Sequence, residues 1–315
     1  MKLIAGRSNP ELAEEIAEFL DKKLTSVTLK DFANGETYFK IEENVRGEDV
    51  FIIQSTITDK HIIELLLMID AAKRASAQRV TAVIPWYGYA RQDRKASPRE
   101  PISAKVIANL ISTAGADRVL AIDLHSPQIQ GFFDVPLDDT WAFALFADYF
   151  VKKGVKDPVI VSPDAGGVKR ASRLSNFLEA PIAIIDKRRT EHNKAEAMNV
   201  IGDVEGKNAI IFDDLIDTGG TISAAANAVK EAGAKEVYLC ATHAVFSNDA
   251  VNKLKSSKAK EIIVTNTIPV EEDEKIKVLD ITHVIGMAIK NIHEKRSVST
   301  LDEQILEKRG INNGR

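Results

Sequence analysis

Two periodicities alternate along this 315-residue chain. Apolar runs of four to six residues stand at 2–5, 49–54, 180–185, 209–212, 237–241 and 261–266, and further runs open at Val80, Val119 and Val159, all of a length that predicts strands. Segments with apolar residues three and four apart lie between them, at 10–20, 62–75, 141–150, 168–178 and 284–293, and predict helices. Asn9 and Pro10 supply an N-cap and a first helical position for the earliest of these. After residue 221 the recurrence of Ala224, Ala228, Val229 and Ala232 ahead of Gly233 predicts another helix with a glycine stop. Strand candidates at 27–29 and 38–41 flank Phe32-Ala33-Asn34-Gly35-Glu36, a turn-forming stretch that reads locally as a hairpin turn.

One supersecondary unit repeats. Ala75-Ser-Ala-Gln-Arg-Val80, Ala114-Gly-Ala-Asp-Arg-Val119 and Ala232-Gly-Ala-Lys-Glu-Val237 each close a helix and open an apolar strand. Helix and strand in alternation predict an α/β fold with a largely parallel sheet and helices on both faces. Ligands of such sheets sit beyond the carboxyl ends of the strands. Chemistry is therefore expected at Pro85-Trp-Tyr, Asp123-Leu-His125 and Thr242-His243, where these strands end. The polar stretch from Lys152 to Pro158 reads as a linker and divides the chain into domains at 1–150 and 151–300, followed by a polar tail at 301–315.

Composition narrows the function. Hydrophobic residues at 44% and charged residues at 28%, with a net charge of −4, suit a globular protein and argue against nucleic-acid or bilayer partners. The single cysteine, Cys240, lies in an apolar strand and reads as a small core residue, which fits a reducing, cytoplasmic setting. No stretch approaches 18 apolar residues, so no membrane span is expected.

The most informative stretch is Ala209-Ile-Ile-Phe-Asp213-Asp214-Leu-Ile-Asp217-Thr218-Gly219-Gly220-Thr221. Its order is strand, acidic loop and helix start. Backbone N–H groups at a helix N-terminus favour a phosphate, and Gly219 and Gly220 let the chain curl around it. Carboxylates ahead of such a cradle suit sugar hydroxyls or a bound Mg²⁺. A second glycine-rich acidic loop, Pro163-Asp164-Ala-Gly166-Gly167, follows the strand at Val159. Arg91-Gln92-Asp93-Arg94-Lys95, next to Tyr87 and Tyr89, reads either as a solvated loop or as a polyphosphate and purine site, since guanidinium groups chelate phosphate oxygens and stack on rings. Asp123 and His125 fall on one side if their strand continues through them, as a metal pair or a structural hydrogen bond. Hard Mg²⁺ prefers oxygen, so His125 suits a metal-bound water or a phosphate oxygen. Asp186-Lys187-Arg188-Arg189, continuing through Lys194, has no apolar period and reads as a loop past a strand end.

Taken together, these segments resemble the phosphate-activated class of the ribose-phosphate pyrophosphokinases, from Asn9-Pro10-Glu11-Leu12 to Ser297-Val-Ser299 and through Asp123-Leu-His-Ser-Pro-Gln-Ile-Gln-Gly-Phe-Phe-Asp134. The resemblance implies two phosphoribosyltransferase-like, Rossmann-like domains. Synthesis of 5-phosphoribosyl 1-diphosphate and AMP from ATP and ribose 5-phosphate is the activity that goes with it. It implies ATP binding by Phe32, Asn34, Gly35, Glu36, Arg91 and Gln92, and Mg²⁺ at His125, Asp164 and Asp123. Lys187 and Arg189 match the catalytic loop; Arg189, Asp213, Asp214, Asp217, Thr218, Gly219, Gly220 and Thr221 match the ribose 5-phosphate site. A homohexamer is implied, with inorganic phosphate and ADP as effectors at Arg46, Ser297 and Ser299. Thr190-Glu191-His192 departs from the proline and arginine that often continue the catalytic loop. A phosphoribosyltransferase that consumes the diphosphate product would share residues 213–221 but has no use for the ATP residues.

Overall fold

The computed structural model describes residues 1–188, 197–299 and 301. These form two compact units. The first takes Met1–Trp141, Thr267–Pro269 and Ile281–Leu301; the second takes Ala142–Asn266 and Val270–Asp280.

In the first unit the chain runs β1 (Lys2–Ala5), α1 (Pro10–Phe19), β2 (Val27–Asp31), β3 (Thr37–Ile41), β4 (Asp49–Ile53), α2 (Asp59–Arg74), β5 (Arg79–Ile84), α3 (Ser103–Ala114), β6 (Arg118–Ile122) and β7 (Leu137–Thr140). The sheet order is β1-β4-β5-β6-β7, and every pairing is parallel. Asn9 caps α1 as expected, its side chain accepting from the Leu12 N–H at 3.3 Å. Helix α2 starts three residues ahead of its apolar pattern because Thr58 caps it through the His61 N–H. Strands β2 and β3 form a separate antiparallel hairpin with Asp31 opposite Thr37, so the 32–36 turn joins them as the local reading expects. Val27, Phe39 and Ile41 of the hairpin pack on the core of this unit.

The second unit holds α4 (Phe143–Lys153), β8 (Pro158–Ser162), α5 (Val168–Leu178), β9 (Ile182–Arg188), β10 (Ala197–Ile201), β11 (Asn208–Ile216), α6 (Gly220–Glu231), β12 (Glu236–Ala244), α7 (Ala250–Ser256), β13 (Glu261–Thr265) and β14 (Ile276–Leu279). Its seven-stranded sheet has the order β10-β9-β8-β11-β12-β13-β14 and is parallel except for the β10–β9 pair. The chain then returns to the first unit as α8 (Thr282–His293). Both units are thus parallel α/β sheets, as the repeated helix-strand junctions predict.

Several details differ from the sequence pattern. The contact-defined units part at Trp141, ahead of the 150 boundary drawn at the lysine-rich linker, because α4 turns its aromatic side chains onto the second sheet. Phe146 meets Phe212 of β11 at 5.1 Å and Phe150 meets Tyr238 of β12 at 5.4 Å between ring centroids. Helix α6 is present, but its buried face is Ile222, Ala225, Ala226 and Val229, while Ala224 is exposed. A run of alanines carries little periodic information, so of the four expected positions only Val229 lies on the buried face. Strand β7, Leu-Asp-Asp-Thr, was not foreseen: it is an edge strand, and Asp138 is masked in it by an ion pair with Arg118.

Phe146 is fully buried. Phe146→Ala should cost about 3–5 kcal/mol, and the loss should appear first as faster amide hydrogen exchange in β11 and β12. Faster exchange confined to β4 and β5 would place α4 with the first unit instead.

Candidate functional site

In the first unit the loops after β4, β5 and β6 leave the same edge of the sheet and interlock. The Thr56 N–H donates to the Trp86 carbonyl at 2.8 Å, and the Gly88 N–H donates to Thr56 Oγ1 at 2.7 Å. A Cβ on Gly88 would lie 2.2 Å from the Thr56 carbonyl oxygen, so the backbones can approach this closely only at glycine. Arg91 and Gln92 are exposed on the next turn. The Gln92 N–H donates to the Tyr89 carbonyl at 2.9 Å, and its side-chain oxygen accepts from Ser103 Oγ at 2.6 Å at the start of α3. Ser126 Oγ donates to Asp93 at 2.6 Å, which ties the arginine loop to the turn that carries Asp123 and His125.

That turn corrects one expectation. Strand β6 stops at Ile122, and Asp123 takes a left-handed backbone with φ 45°, so strand alternation does not place Asp123 and His125 on one side. Asp123 is buried, and its N–H donates to the Thr140 carbonyl at 2.8 Å. Asp134 and Asp138 form ion pairs with Lys105 and Arg118.

At the hairpin tip Phe32 is 49% exposed. The tip closes through Phe32 N–H to the Glu36 carbonyl, Gly35 N–H to the Phe32 carbonyl and Glu36 N–H to Asn34 Oδ1 at 3.2 Å, with Gly35 at φ 88°. Tyr38 supports the Phe32 ring edge-on at 5.5 Å. An exposed, braced aromatic ring is a surface on which a planar ligand can stack.

Arg46 is exposed just ahead of β4, and Ser297 and Ser299 follow α8 with their hydroxyls 2.7 Å apart. The two segments are drawn toward each other, since Asp49 pairs with His293 at 2.8 Å and Arg79 donates to the Ile292 carbonyl at 3.1 Å.

In the second unit β11 continues past Phe212 to Ile216, because β12 goes on pairing with it: Asp213 lies opposite Ala241, Leu215 opposite His243 and Ile216 opposite Ala244. Asp213 and Asp214 are therefore strand residues rather than loop residues, and the Asp214 N–H donates to Asp213 Oδ1 at 2.9 Å. A single nitrogen of Arg170 reaches both, at 3.1 Å from Asp213 and 3.0 Å from Asp214. Arg170 escaped the sequence reading, and the signal for it is topological: α5 begins after β8, and β8 is the strand beside β11. Burial first, and then the charge of Asp214, push the Asp213 carboxyl well above its ordinary range, with Arg170 pulling the other way.

Beyond β11, Asp217 is half-buried and its carbonyl accepts from the Ser247 N–H at 3.1 Å. Thr218, Gly220 and Thr221 are exposed, and α6 begins at Gly220 with Gly219 as its N-cap at φ 73°. Gly219 has no side chain with which to cap this helix. A Cβ on Gly219 would lie 3.2 Å from the Ala250 carbonyl oxygen, so both backbone angle and space call for glycine here. Such a terminus presents its first amides and the positive end of the helix dipole to an anion. Asp164 stands exposed after β8 and accepts from the Gly167 N–H at 2.9 Å.

Lys187 belongs to β9, which runs three residues past its predicted end because β10 pairs with it antiparallel, Met198 opposite Lys187. Arg189, and the rest of the proposed catalytic loop to Lys194, lie outside the described residues. Among the described residues no three His, Cys, Asp or Glu side chains converge as a metal cluster. Cys240 is buried in β12, and no helix among the described residues is long and apolar enough to cross a membrane.

Comparison with known proteins gives a consistent result over nearly the whole chain. Residues 1–115 match the N-terminal domain of ribose phosphate pyrophosphokinase, and residues 189–302 match the phosphoribosyl synthetase-associated domain. The ribose-phosphate pyrophosphokinase of Bacillus caldolyticus is 54% identical over 306 residues, covering 96% of this chain and 97% of that protein. That of Corynebacterium ammoniagenes is 54% identical, with 96% of each chain covered. The crystal structure of phosphoribosylpyrophosphate synthetase from Mycobacterium smegmatis superposes with a TM-score of 0.87 at 44% identity, covering 93% of this chain and 99% of that one.

A carboxyl whose folded pKa is raised stabilises the fold most at low pH, and that contribution is lost as pH rises through the folded value. Asp213→Asn should therefore raise the ligand-free melting temperature at neutral pH by roughly 2–4 °C, for about 1 kcal/mol. The gain should shrink as pH falls and Asp213 in the parent protein takes up its proton. A thermal melt series from pH 5 to 8 checks this, and a variant less stable than the parent at every pH would contradict it.

Proposed function

The chain belongs to the ribose-phosphate pyrophosphokinase family, and we infer from that membership, with the strand-end loops, which of its residues carry the reaction. The enzyme transfers the diphosphoryl group of ATP to the anomeric hydroxyl of ribose 5-phosphate, giving 5-phosphoribosyl 1-diphosphate and AMP. The anomeric oxygen bonds to the β-phosphorus, the bond from that phosphorus to the α–β bridging oxygen breaks, and the hydroxyl proton is released.

Ribose 5-phosphate docks its phosphate on the amides and hydroxyls of Thr218, Gly219, Gly220 and Thr221, with Asp213, Asp214 and Asp217 toward the sugar hydroxyls. The observation that supports this most directly is the exposed N-terminus of α6, which begins at Gly220, six positions after Asp214. The adenine stacks on Phe32 at the hairpin tip, next to Asn34, Gly35 and Glu36, and the nucleotide phosphates meet Arg91 and Gln92. Family membership assigns Mg²⁺ to Asp123, His125 and Asp164, and a hard ion with so few protein ligands would keep several waters and take its remaining ligands from substrate phosphates. When bound, the ion neutralises charge on the transferring group.

Protein chemistry in diphosphoryl transfer is mostly positioning and charge neutralisation. Lys187 and Arg189 neutralise the charge that moves onto the α–β bridging oxygen as AMP departs. The assembly we propose is a homohexamer in a cytoplasmic setting, activated by inorganic phosphate and inhibited by ADP through Arg46, Ser297 and Ser299.

One such clamp is worth about 3–4 kcal/mol of barrier, or ~10² to 10³ in rate. Lys187→Ala should lower kcat by at least that factor with little change in ATP affinity, read as AMP formed from ATP and ribose 5-phosphate; near-parental turnover would remove Lys187 from the mechanism. The same assay with and without inorganic phosphate should show activation in the parent enzyme and none in Arg46→Ala.

A further inference from the structure

Behind the hairpin tip lies a chain of charged and polar side chains, none of them among the residues assigned above. It starts at Glu64 on α2, whose side chain has no exposure. Glu64 Oε2 accepts from Gln54 Nε2 at 3.0 Å, and Glu64 Oε1 accepts from Arg7 Nε at 2.9 Å. Gln54, the residue after β4, is itself fixed: its Oε1 accepts from the Ser8 N–H at 3.0 Å and its Nε2 also donates to the His61 carbonyl at 3.2 Å. A Cβ on Gly6 would fall 2.2 Å from Gln54 Oε1, so the carboxamide fits only against glycine.

The remaining edge of the Arg7 guanidinium points to the hairpin. Nη2 donates to Asp31 Oδ1 at 2.8 Å and Nη1 to Asp31 Oδ2 at 3.2 Å, a two-pronged pair. Asp31 is the last residue of β2 and the neighbour of Phe32. Lys60 of α2 adds a second cation at 2.5 Å, and the Thr37 hydroxyl at the start of β3 lies 3.5 Å from Asp31 Oδ1.

An ordinary surface ion pair orders little, because two long side chains must give up their freedom to form it. Here one end is not free to move. A buried Glu64 needs its cation, since stripping the partner from a buried charge is strongly unfavourable. That need fixes Arg7, and planar two-pronged bonding passes the fixed orientation to Asp31. With its carboxylate engaged in both directions, Asp31 anchors the root of a turn whose tip is closed by its own short-range bonds.

We propose that Arg7 and Asp31 are positioning residues for nucleotide binding: by tying the root of the β2–β3 hairpin to buried Glu64, they hold the Phe32–Glu36 tip in the orientation that receives the adenine ring. The proposal rests on the reading of that tip as the nucleotide site. Asp31→Asn keeps the size of the side chain and leaves Arg7 its bond to Glu64, so folding is preserved. It should raise the ATP KM roughly tenfold, leave kcat and the ribose 5-phosphate KM within about twofold, and speed amide exchange at residues 32–36; Asp31→Glu should recover part of the ATP affinity. Arg7→Met should do the same more severely, with a lower melting temperature because Glu64 loses its cation.

Phe32→Ala separates the two readings. If it raises the ATP KM, the tip is the nucleotide site, and the double variant with Asp31→Asn should then be less than additive; an unaltered ATP KM or unaltered tip exchange in Asp31→Asn would overturn the positioning role. If Phe32→Ala leaves the ATP KM unchanged, the nucleotide reading of the tip fails, and the positioning of the adenine falls with it.

Discussion

Parallel strand pairing is the constraint from which the rest of this protein follows. A parallel neighbour must be reached by a crossover, so the chain is returned to the same end of the sheet and all the parallel strands end at the same edge. In the first unit that edge collects Gly6-Arg7, Gln54 to Thr56, Pro85 to Asp93 and Asp123 to Ser126. In the second it collects Asp164 after β8 and Asp213 to Thr221 along and beyond β11. Residues far apart in sequence become neighbours with no local signal in the sequence. The apolar runs determine the sheet, and the sheet determines where polar residues can meet.

This explains which features could be read from sequence. The Asn9 cap, the glycine turn at 32–36 and the strand-to-helix passage at 209–221 are local, and a few adjacent residues are enough to specify each. Features that depend on a partner strand were missed. Nothing in Asp213-Asp214 suggests extended backbone, yet β12 carries β11 through them. Nothing in Leu137-Asp-Asp-Thr140 suggests a strand until β6 lies beside it. Asp123 and His125 failed in the opposite sense, because an alternation valid inside a strand was applied one residue past its end. Arg170 could be named only once β8 and β11 were known to be neighbours.

The Asp213–Asp214 pair shows how this edge differs from the interior. In a core position two consecutive carboxylates would be removed by selection for stability, since burial and mutual repulsion both act against the charged forms. Arg170 offsets part of that repulsion without cancelling it, as the raised Asp213 carboxyl indicates. An arrangement that opposes folding points to a ligand, and on the reading proposed above that ligand is the sugar of ribose 5-phosphate. The same holds at α6. Its N-cap is Gly219, whose positive φ and close approach to the Ala250 carbonyl oppose a capping side chain, and such a side chain would occupy the amides that the proposed phosphate uses.

The hairpin presents the converse problem. A two-stranded antiparallel ribbon is marginal in isolation, and among the described residues β2–β3 pairs with no other strand. Its inner face packs on the core through Val27, Phe39 and Ile41, which resists lifting but does little against rotation about the ribbon root. Directional bonds supply that second restraint. A single carboxylate at the root is enough, provided its partner guanidinium is immobile, and immobility at the surface has to come from the interior. Glu64 provides it, since a buried charge restricts its partner more tightly than any contact in solvent. On the positioning proposed above, the orientation of an exposed aromatic ring depends on a carboxylate buried in the interior.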